Sequence, residues 1–299
     1  MKEILYIVAF NLLRFFIWIV PDSMMNVMIK GLSQLFYRLD KKHRRIAKVN
    51  LDLAYEDTLS DKGKEKIIKA CYLNLLHSLV DFVKNQGISK KALLEKVHFE
   101  NESFLQDALE SGKKVILITG HYGNWELVAL SIAAKFGPMT IIGRKLDSKA
   151  MDVVLKQNRE QFGIELLDKK GAMKSMINVL KEGRMLGLLV DQNTNDKEGM
   201  LVSFFGKPVR HTPSAAILSR RFDAVIIPVF ITTEDHQAYK MTFYKPIVTE
   251  KSDDKEKDIL ESVQKQAKIT EEAIRKKPEE WFWLHQRWKN QFEAHYNVK

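Results

Sequence analysis

His121 and Glu126 stand five positions apart in the stretch Thr119-Gly120-His121-Tyr122-Gly123-Asn124-Trp125-Glu126. On one continuous helix, residues at that spacing are rotated by roughly 140° and face apart. They can meet only if His121 sits in a turn and Glu126 opens the helix that follows. A carboxylate in a first helical turn is favoured by the helix dipole. Against an imidazole it would hold one tautomer and strengthen the other nitrogen as a base. The same residues also fit a plainer arrangement, a satisfied histidine in a strand-to-helix turn with Glu126 as a first-turn acid. The flanking Gly120 and Gly123 and the apolar run before them place the pair at the carboxyl edge of a sheet, where α/β proteins bind ligands.

Other polar residues gather at predicted strand ends. Arg144 and Lys145 follow an apolar run at 139–143, and Asp191-Gln192-Asn193 follow another at 186–190. In a parallel sheet these ends share one edge and line one cleft. Arg144 could bind a phosphate or carboxylate through two N–H groups, steady a developing oxyanion, or lie on the surface. Asp191 could support the site or cap a loop, and Arg159 could reach the same edge or solvent. Asn124 is suited to cap the helix that starts at Trp125. Asn124, Arg144, Arg159, Asp191 and Gln192 are thus the candidate substrate-contacting residues around His121 and Glu126. A zinc site would need about three ligands at short spacing, which His-x-x-x-x-Glu does not supply, so no metal is expected. A Gly-x-Ser-x-Gly elbow, a Walker loop and a dinucleotide fingerprint are all absent from the sequence.

The elements that must position these groups follow from hydrophobic period. Residues 115–119 are apolar or β-branched without alternation, the mark of a strand covered on both faces. An apolar helix is expected over 127–136. Further strands are expected at 97–100, 139–143, 164–167, 186–190, 202–205, 225–231 and 239–244. Helices are expected at 61–86, 101–111, 149–162, 171–182, 213–221 and 255–276. Strands alternating with helices predict an α/β fold with a largely parallel mixed sheet flanked by helices.

Composition sets the outer bounds. The 299 residues are 45% hydrophobic and carry a net charge of +10, which suits an extensive core and an anionic partner. No recognition helix, RNP-like motif or aromatic platform accompanies the charge, so a nucleic-acid role is not expected. The single Cys71 rules out a disulfide framework and packs as a small hydrophobe. Residues 4–20 form the most hydrophobic run, interrupted by Arg14. The run is short for a bilayer span and carries a charge near its middle, so it either spans with Arg14 paired or lies in the interface. A buried helix of a soluble domain also fits. With the sticky run at 24–39, it predicts a membrane anchor over 1–40 and one folded domain over 41–299. Lys41-Lys42-His43-Arg44-Arg45, just after the anchor, reads as a cytoplasmic belt attracted to anionic lipid. Trp281, Trp283 and Trp288 read as a structural clamp or a membrane-facing belt.

Taken together, these motifs resemble a known family. Gly120-His121-Tyr122-Gly123-Asn124-Trp125-Glu126 looks like the His-x-x-x-x-Asp/Glu block of the glycerolipid acyltransferase superfamily. More closely, the chain resembles the bacterial lipid A late acyltransferases, the lauroyl and myristoyl transferases. Asp191-Gln192-Asn193, Phe204-Phe205-Gly206-Lys207-Pro208 with Thr212, Ile227-Pro228 and Glu280-Trp281-Phe282-Trp283-Leu284-His285 follow that family's order. So do the N-terminal anchor and the Arg44-Arg45 … Asn50-Leu51 region, so the resemblance covers nearly the whole chain. It implies acyl transfer from an acyl carrier protein thioester to a hydroxyl of a lipid A precursor, at the cytoplasmic face of the bacterial inner membrane. It further implies His121 as general base oriented by Glu126, Arg144 on acceptor phosphate or oxyanion, and no cofactor. The anionic acceptor lipid and the acidic carrier protein both suit a cationic chain. Gly143-Arg144-Lys145-Leu146-Asp147 runs on without the Asn-Pro element of many lipid A members. The acceptor therefore stays open between a lipid A precursor, a phosphatidylinositol mannoside and a lysophospholipid. An inactive lipid-binding scaffold of the same fold is the reading from another class.

Overall fold

The structure is a computed structural model that describes residues 2–169 and 171–297. Helices α1 (Lys2–Ile19), α2 (Asp22–Leu39), α3 (Lys41–Tyr55) and α4 (Asp61–Lys84) come first, then α5 (Lys90–Glu95). Strand β1 (Val97–Glu100), α6 (Ser103–Glu110) and β2 (Val115–Thr119) lead into α7 (Trp125–Phe136). Next come β3 (Met139–Gly143), α8 (Lys149–Arg159), β4 (Glu165–Asp168), α9 (Ala172–Lys181) and β5 (Met185–Leu189). The hairpin β6 (Met200–Phe204) and β7 (Lys207–His211) precedes α10 (Ser214–Phe222), β8 (Val225–Thr233) and β9 (Tyr239–Phe243). The long α11 (Lys255–Lys276) and the short α12 (Glu293–Tyr296) close the chain.

Seven strands form one sheet in the order β1-β9-β8-β2-β5-β3-β4. Every neighbouring pair is parallel except β8 with β9. The expected largely parallel mixed sheet flanked by helices is what the chain forms. β2 lies inside it, between β8 and β5, which explains its unbroken apolar character. Val115 and Leu117 join the core shared with α5, α6 and α7, while Ile116 and Ile118 join the core shared with α9 and α10. Burying each such side chain contributes on the order of 1.5–3 kcal/mol, so a polar residue at any of positions 115–118 would disturb one of the two cores.

Two expected boundaries shift for local reasons. α8 stops at Arg159, short of residue 162, because Phe162 and Gly163 adopt left-handed conformations with φ of 56° and 80°. The hairpin turns at Phe205-Gly206, both left-handed, the geometry that matches the twist of the flanking strands. Trp281, Trp283 and Trp288 are 3%, 0% and 0% exposed. They pack with Phe204 and Phe205 into the core formed by α3, α4, the hairpin and α11. The tryptophans are therefore a structural clamp, and the membrane-facing belt is excluded by their burial.

Among the described residues, no helix is long and apolar enough to cross a membrane. Ile17 of α1 and Met25 and Ile29 of α2 pack with Val83 of α4, and Glu3 accepts hydrogen bonds from Ser148 Oγ and the Ala150 N–H at the start of α8. The pair is docked on the domain along one side. Its other side exposes Leu12, Phe15, Trp18, Met24, Val27 and Leu39, each 56–70% accessible.

Candidate active site

The chain turns sharply between β2 and α7, and two glycines permit it. A Cβ on Gly120 would lie 2.9 Å from Asp191 Oδ2. Gly123 adopts φ 58°, and a Cβ there would lie 2.1 Å from the Ile231 carbonyl oxygen, closer than any side chain permits. The loop between them hangs on the C-terminal segment: the Gly123 N–H donates to the Glu280 carbonyl at 2.9 Å, and the Phe282 N–H donates to the His121 carbonyl at 2.8 Å. His121 is thereby fixed at the carboxyl end of β2.

Asp191, at the carboxyl end of the neighbouring β5, meets it. His121 Nδ1 lies 2.8 Å from Asp191 Oδ1. Asp191 Oδ2 accepts from the His121 backbone N–H at 2.7 Å and from Trp281 Nε1 at 2.8 Å. A buried carboxylate with three N–H donors is strongly held. Burial raises the Asp191 pKa, but the His121 charge and its hydrogen bond, helped by Trp281, hold it well below the usual carboxylate range. Since an ionised Asp191 only accepts, Nδ1 carries the proton and Nε2 keeps its lone pair. Gln192 Nε2 lies 3.2 Å from that Nε2. Burial depresses the His121 pKa, yet the Asp191 charge and hydrogen bond outweigh it and the net direction is upward. Trp125 and Phe282 wall the imidazole, with ring centroids 5.3 and 6.3 Å away.

Glu126 sits where the spacing predicts, in the first turn of α7, but its partner is not the imidazole. Both its oxygens take Arg159, the last residue of α8: Nε to Oε2 at 2.8 Å and Nη2 to Oε1 at 2.5 Å. The orienting role expected of Glu126 is therefore corrected. Asp191 holds the ring, because the turn aims Nδ1 across to β5 rather than forward along α7. Glu126 still lies near enough for its charge to raise the His121 pKa, and Arg159 opposes it.

The remaining candidates divide. Gln192 faces the imidazole, and Arg159 reaches the same edge. Asn124 occupies the N-cap position of α7 without a side-chain cap. It is 3% exposed and donates to Asp81 Oδ2 at 2.9 Å and to the Tyr239 hydroxyl at 3.4 Å. Its expected contact with substrate is replaced by a buried structural one. Arg144 follows β3 on the same sheet edge but extends into solvent, its side chain 82% exposed and 3.7 Å from Asp147. Among the described residues, no three His, Cys, Asp or Glu side chains converge to hold a metal ion.

Two residues enter the site in roles the sequence does not point to, Trp281 reading only as a clamp or belt residue and Arg287 not at all. Trp281 supplies a hydrogen bond to Asp191 across ninety positions of chain. Arg287, fully buried, donates to the Gln192 and Arg210 carbonyls at 3.0 and 2.6 Å and meets His211 Nδ1 at 3.0 Å. It fixes the loop that presents Asp191 and Gln192. Burial lowers its pKa to about 10 and, with the Arg287 charge, lowers that of His211 to about 3, so the pair is a cation on a neutral imidazole.

Comparison with known proteins is consistent with this architecture. Residues 2–290 match the bacterial lipid A biosynthesis acyltransferase family. The lipid A biosynthesis acyltransferase 2 of Shigella flexneri is 22% identical over 76% of this chain and 72% of its own length. The lipid A biosynthesis lauroyltransferase of Escherichia coli is 21% identical over 93% and 90%. A phosphatidylinositol mannoside acyltransferase of Mycolicibacterium smegmatis is 26% identical over half of each chain. With a histidine–aspartate pair at the sheet edge and a match across nearly its whole length, the chain belongs to the bacterial lipid A biosynthesis acyltransferase family and is an acyltransferase.

Proposed function

We propose that the chain transfers a fatty acyl group from an acyl carrier protein thioester to a hydroxyl of a lipid A precursor, with His121 as general base. The observation that carries the mechanism is the 2.8 Å contact between His121 Nδ1 and Asp191, which leaves Nε2 as the acceptor. The acceptor hydroxyl replaces Gln192 at Nε2 and gives up its proton as its oxygen attacks the thioester carbonyl. The tetrahedral intermediate then expels the thiol, which takes the proton back from Nε2. No acyl-enzyme is required. Trp125 and Phe282 offer an apolar wall for the acyl chain. Arg144, at the same sheet edge and held only by a largely exposed contact with Asp147, engages acceptor phosphate.

In this reading residues 1–40 hold the protein on the inner membrane with the domain at residues 41–299 on the cytoplasmic face. The exposed apolar side of α1 and α2 supports that placement. The relatives named for phosphatidylinositol mannosides support a second reading with the same chemistry and another glycolipid acceptor. Purified protein incubated with acyl carrier protein thioesters and a panel of lipid A precursors, phosphatidylinositol mannosides and lysophospholipids separates them. Acyl transfer to the lipid A precursor is expected. Transfer only to another acceptor moves the protein to that substrate, and no transfer by folded protein leaves a binding role.

A further inference from the structure

The cationic belt at residues 41–45 does not behave as one unit. His43 Nδ1 turns inward to the Asp40 carboxylate at 2.9 Å, and Arg44 donates to the Tyr37 carbonyl at 2.8 Å while lying 5.0 Å over the Tyr37 ring. Lys41, Lys42 and Arg45 instead line a cavity of about 310 Å³ together with Ile46, Val49, Gln286 and Tyr296. Among the described residues these three cations have no ion pair or hydrogen-bond partner. Their placement in the first turns of α3 opposes the helix dipole, which favours acids there. Three cations facing one hollow also repel one another. Helix stability is therefore no reason for their presence, and an anion in the cavity would be.

The walls are fixed in advance. The Tyr296 hydroxyl donates to Asn50 Oδ1, and Asn50 Nδ2 donates to the Trp283 and His285 carbonyls at 2.7 Å each. The chain carrying Gln286 is thus pinned to α3. Just before the cavity, α2 exposes Leu32, Leu35, Phe36 and Leu39, accessible by 43%, 48%, 45% and 68%. An apolar stripe that ends in a cationic hollow matches the order of layers at a membrane surface, acyl chains and then anionic headgroups. A flat acidic protein helix would match neither the concave shape nor the stripe.

We propose that the cavity between α3 and the Gln286–Tyr296 segment binds the phosphate of an anionic phospholipid headgroup, apart from the catalytic centre. The inference is independent of the acyl-transfer reading, since it concerns binding to lipid that is not consumed. Full-length protein is sedimented with vesicles of phosphatidylglycerol in phosphatidylcholine and with phosphatidylcholine alone, at fixed salt. Wild type is expected to prefer the anionic vesicles. The Lys41→Gln/Lys42→Gln/Arg45→Gln variant should keep its binding to neutral vesicles through α1 and α2 and lose about 10- to 100-fold in affinity for anionic ones. Arg45→Gln alone should lose a smaller part, which guards against a folding defect in the triple variant. The Lys257→Gln/Lys265→Gln/Lys268→Gln variant on α11 removes the same charge elsewhere, and an equal loss there overturns the site. Excess glycerol 1-phosphate should weaken the anionic preference of wild type alone. The proposal also falls if only free inorganic phosphate binding depends on the three residues. It falls likewise if acyl carrier protein binding depends on them while the vesicle preference does not.

Discussion

Two acid–cation pairs flank the turn after β2, and they are built differently. His121–Asp191 joins two adjacent strands of one sheet, its carboxylate 3% exposed and held by three N–H donors. Glu126–Arg159 joins the first turn of α7 to the last residue of α8, with side chains 18% and 20% exposed. In the first pair the cation is conditional: His121 gains or loses its proton, and the fixed carboxylate sets which nitrogen is free. In the second the guanidinium is permanently charged and geometrically forked, so the pair is suited to holding two helices in register. A carboxylate that orients a base must be buried, satisfied and immobile, and only Asp191 meets all three conditions.

The largest test of that contrast is loss of turnover. His121→Ala is expected to lower kcat/KM by about two to four orders of magnitude. Asp191→Asn should cost about two to three, since an amide no longer selects the Nδ1–H tautomer. Steady-state acyl transfer with folded variants checks both. If Glu126→Gln is the more damaging of the two carboxylate changes, the pairs exchange roles. The expected cost of Glu126→Gln is about tenfold, with a coupling to Arg159→Gln of about 1–3 kcal/mol in a double-mutant cycle.

The pH profile sharpens the same contrast. The base must be neutral to act, so the rate rises as pH rises through the His121 pKa. Asp191 carries that pKa above the ordinary histidine value, and the limb should lie above pH 6.5. In Asp191→Asn, burial is opposed only by the Glu126 charge and the limb should move to lower pH, whereas Glu126→Gln should move it the same way by less. A limb unchanged in Asp191→Asn would break the assignment. Rates of kcat/KM between pH 5 and 9 report it.

The comparison also marks what a sequence can carry. The two-sided burial of β2, the turn at Gly120 to Gly123 and the helix starting at Trp125 were all legible, because period and turn chemistry are local. His121 at a sheet edge followed from them. Its partner was not legible. Glu126 is five positions away and Asp191 is seventy, and only the β2–β5 pairing brings the second closer. The site roles of Arg287 and Trp281 were hidden for the same reason, since they exist only after the C-terminal segment folds back against β2 and β5. The apolar run at 4–20 predicted a sticky helix, while its docking along α4 and α8 depends on Ile17 and Glu3 finding partners far along the chain.

Asn124 allows a finer division between chemistry and support. Asn124→Ala would leave the half-buried Asp81 carboxylate, already pushed up in pKa by desolvation, without one of its two donors. A stranded buried acceptor costs about 1–3 kcal/mol, and a half-buried one sits at the low end of that range. The expected result is a fall of several degrees in Tm with KM for the acceptor unchanged. A raised KM at unchanged Tm would return Asn124 to the substrate side.

The smallest expected effect belongs to Arg144. Its contact with Asp147 at 3.7 Å is largely exposed, and such pairs contribute little or nothing to stability. Arg144→Ala should therefore leave the unfolding free energy within about 0.5 kcal/mol of wild type. If its exposed guanidinium meets acceptor phosphate, KM for a phosphorylated acceptor rises about three- to tenfold while kcat holds, the signature of binding lost equally from ground and transition states. An acceptor lacking phosphate should show no such rise. Arg144→Lys should recover only part of the loss, because an ammonium keeps the charge but not the planar fork. If kcat falls and KM holds, Arg144 acts on the developing oxyanion, and the two pairs around the turn gain a third partner in the chemistry.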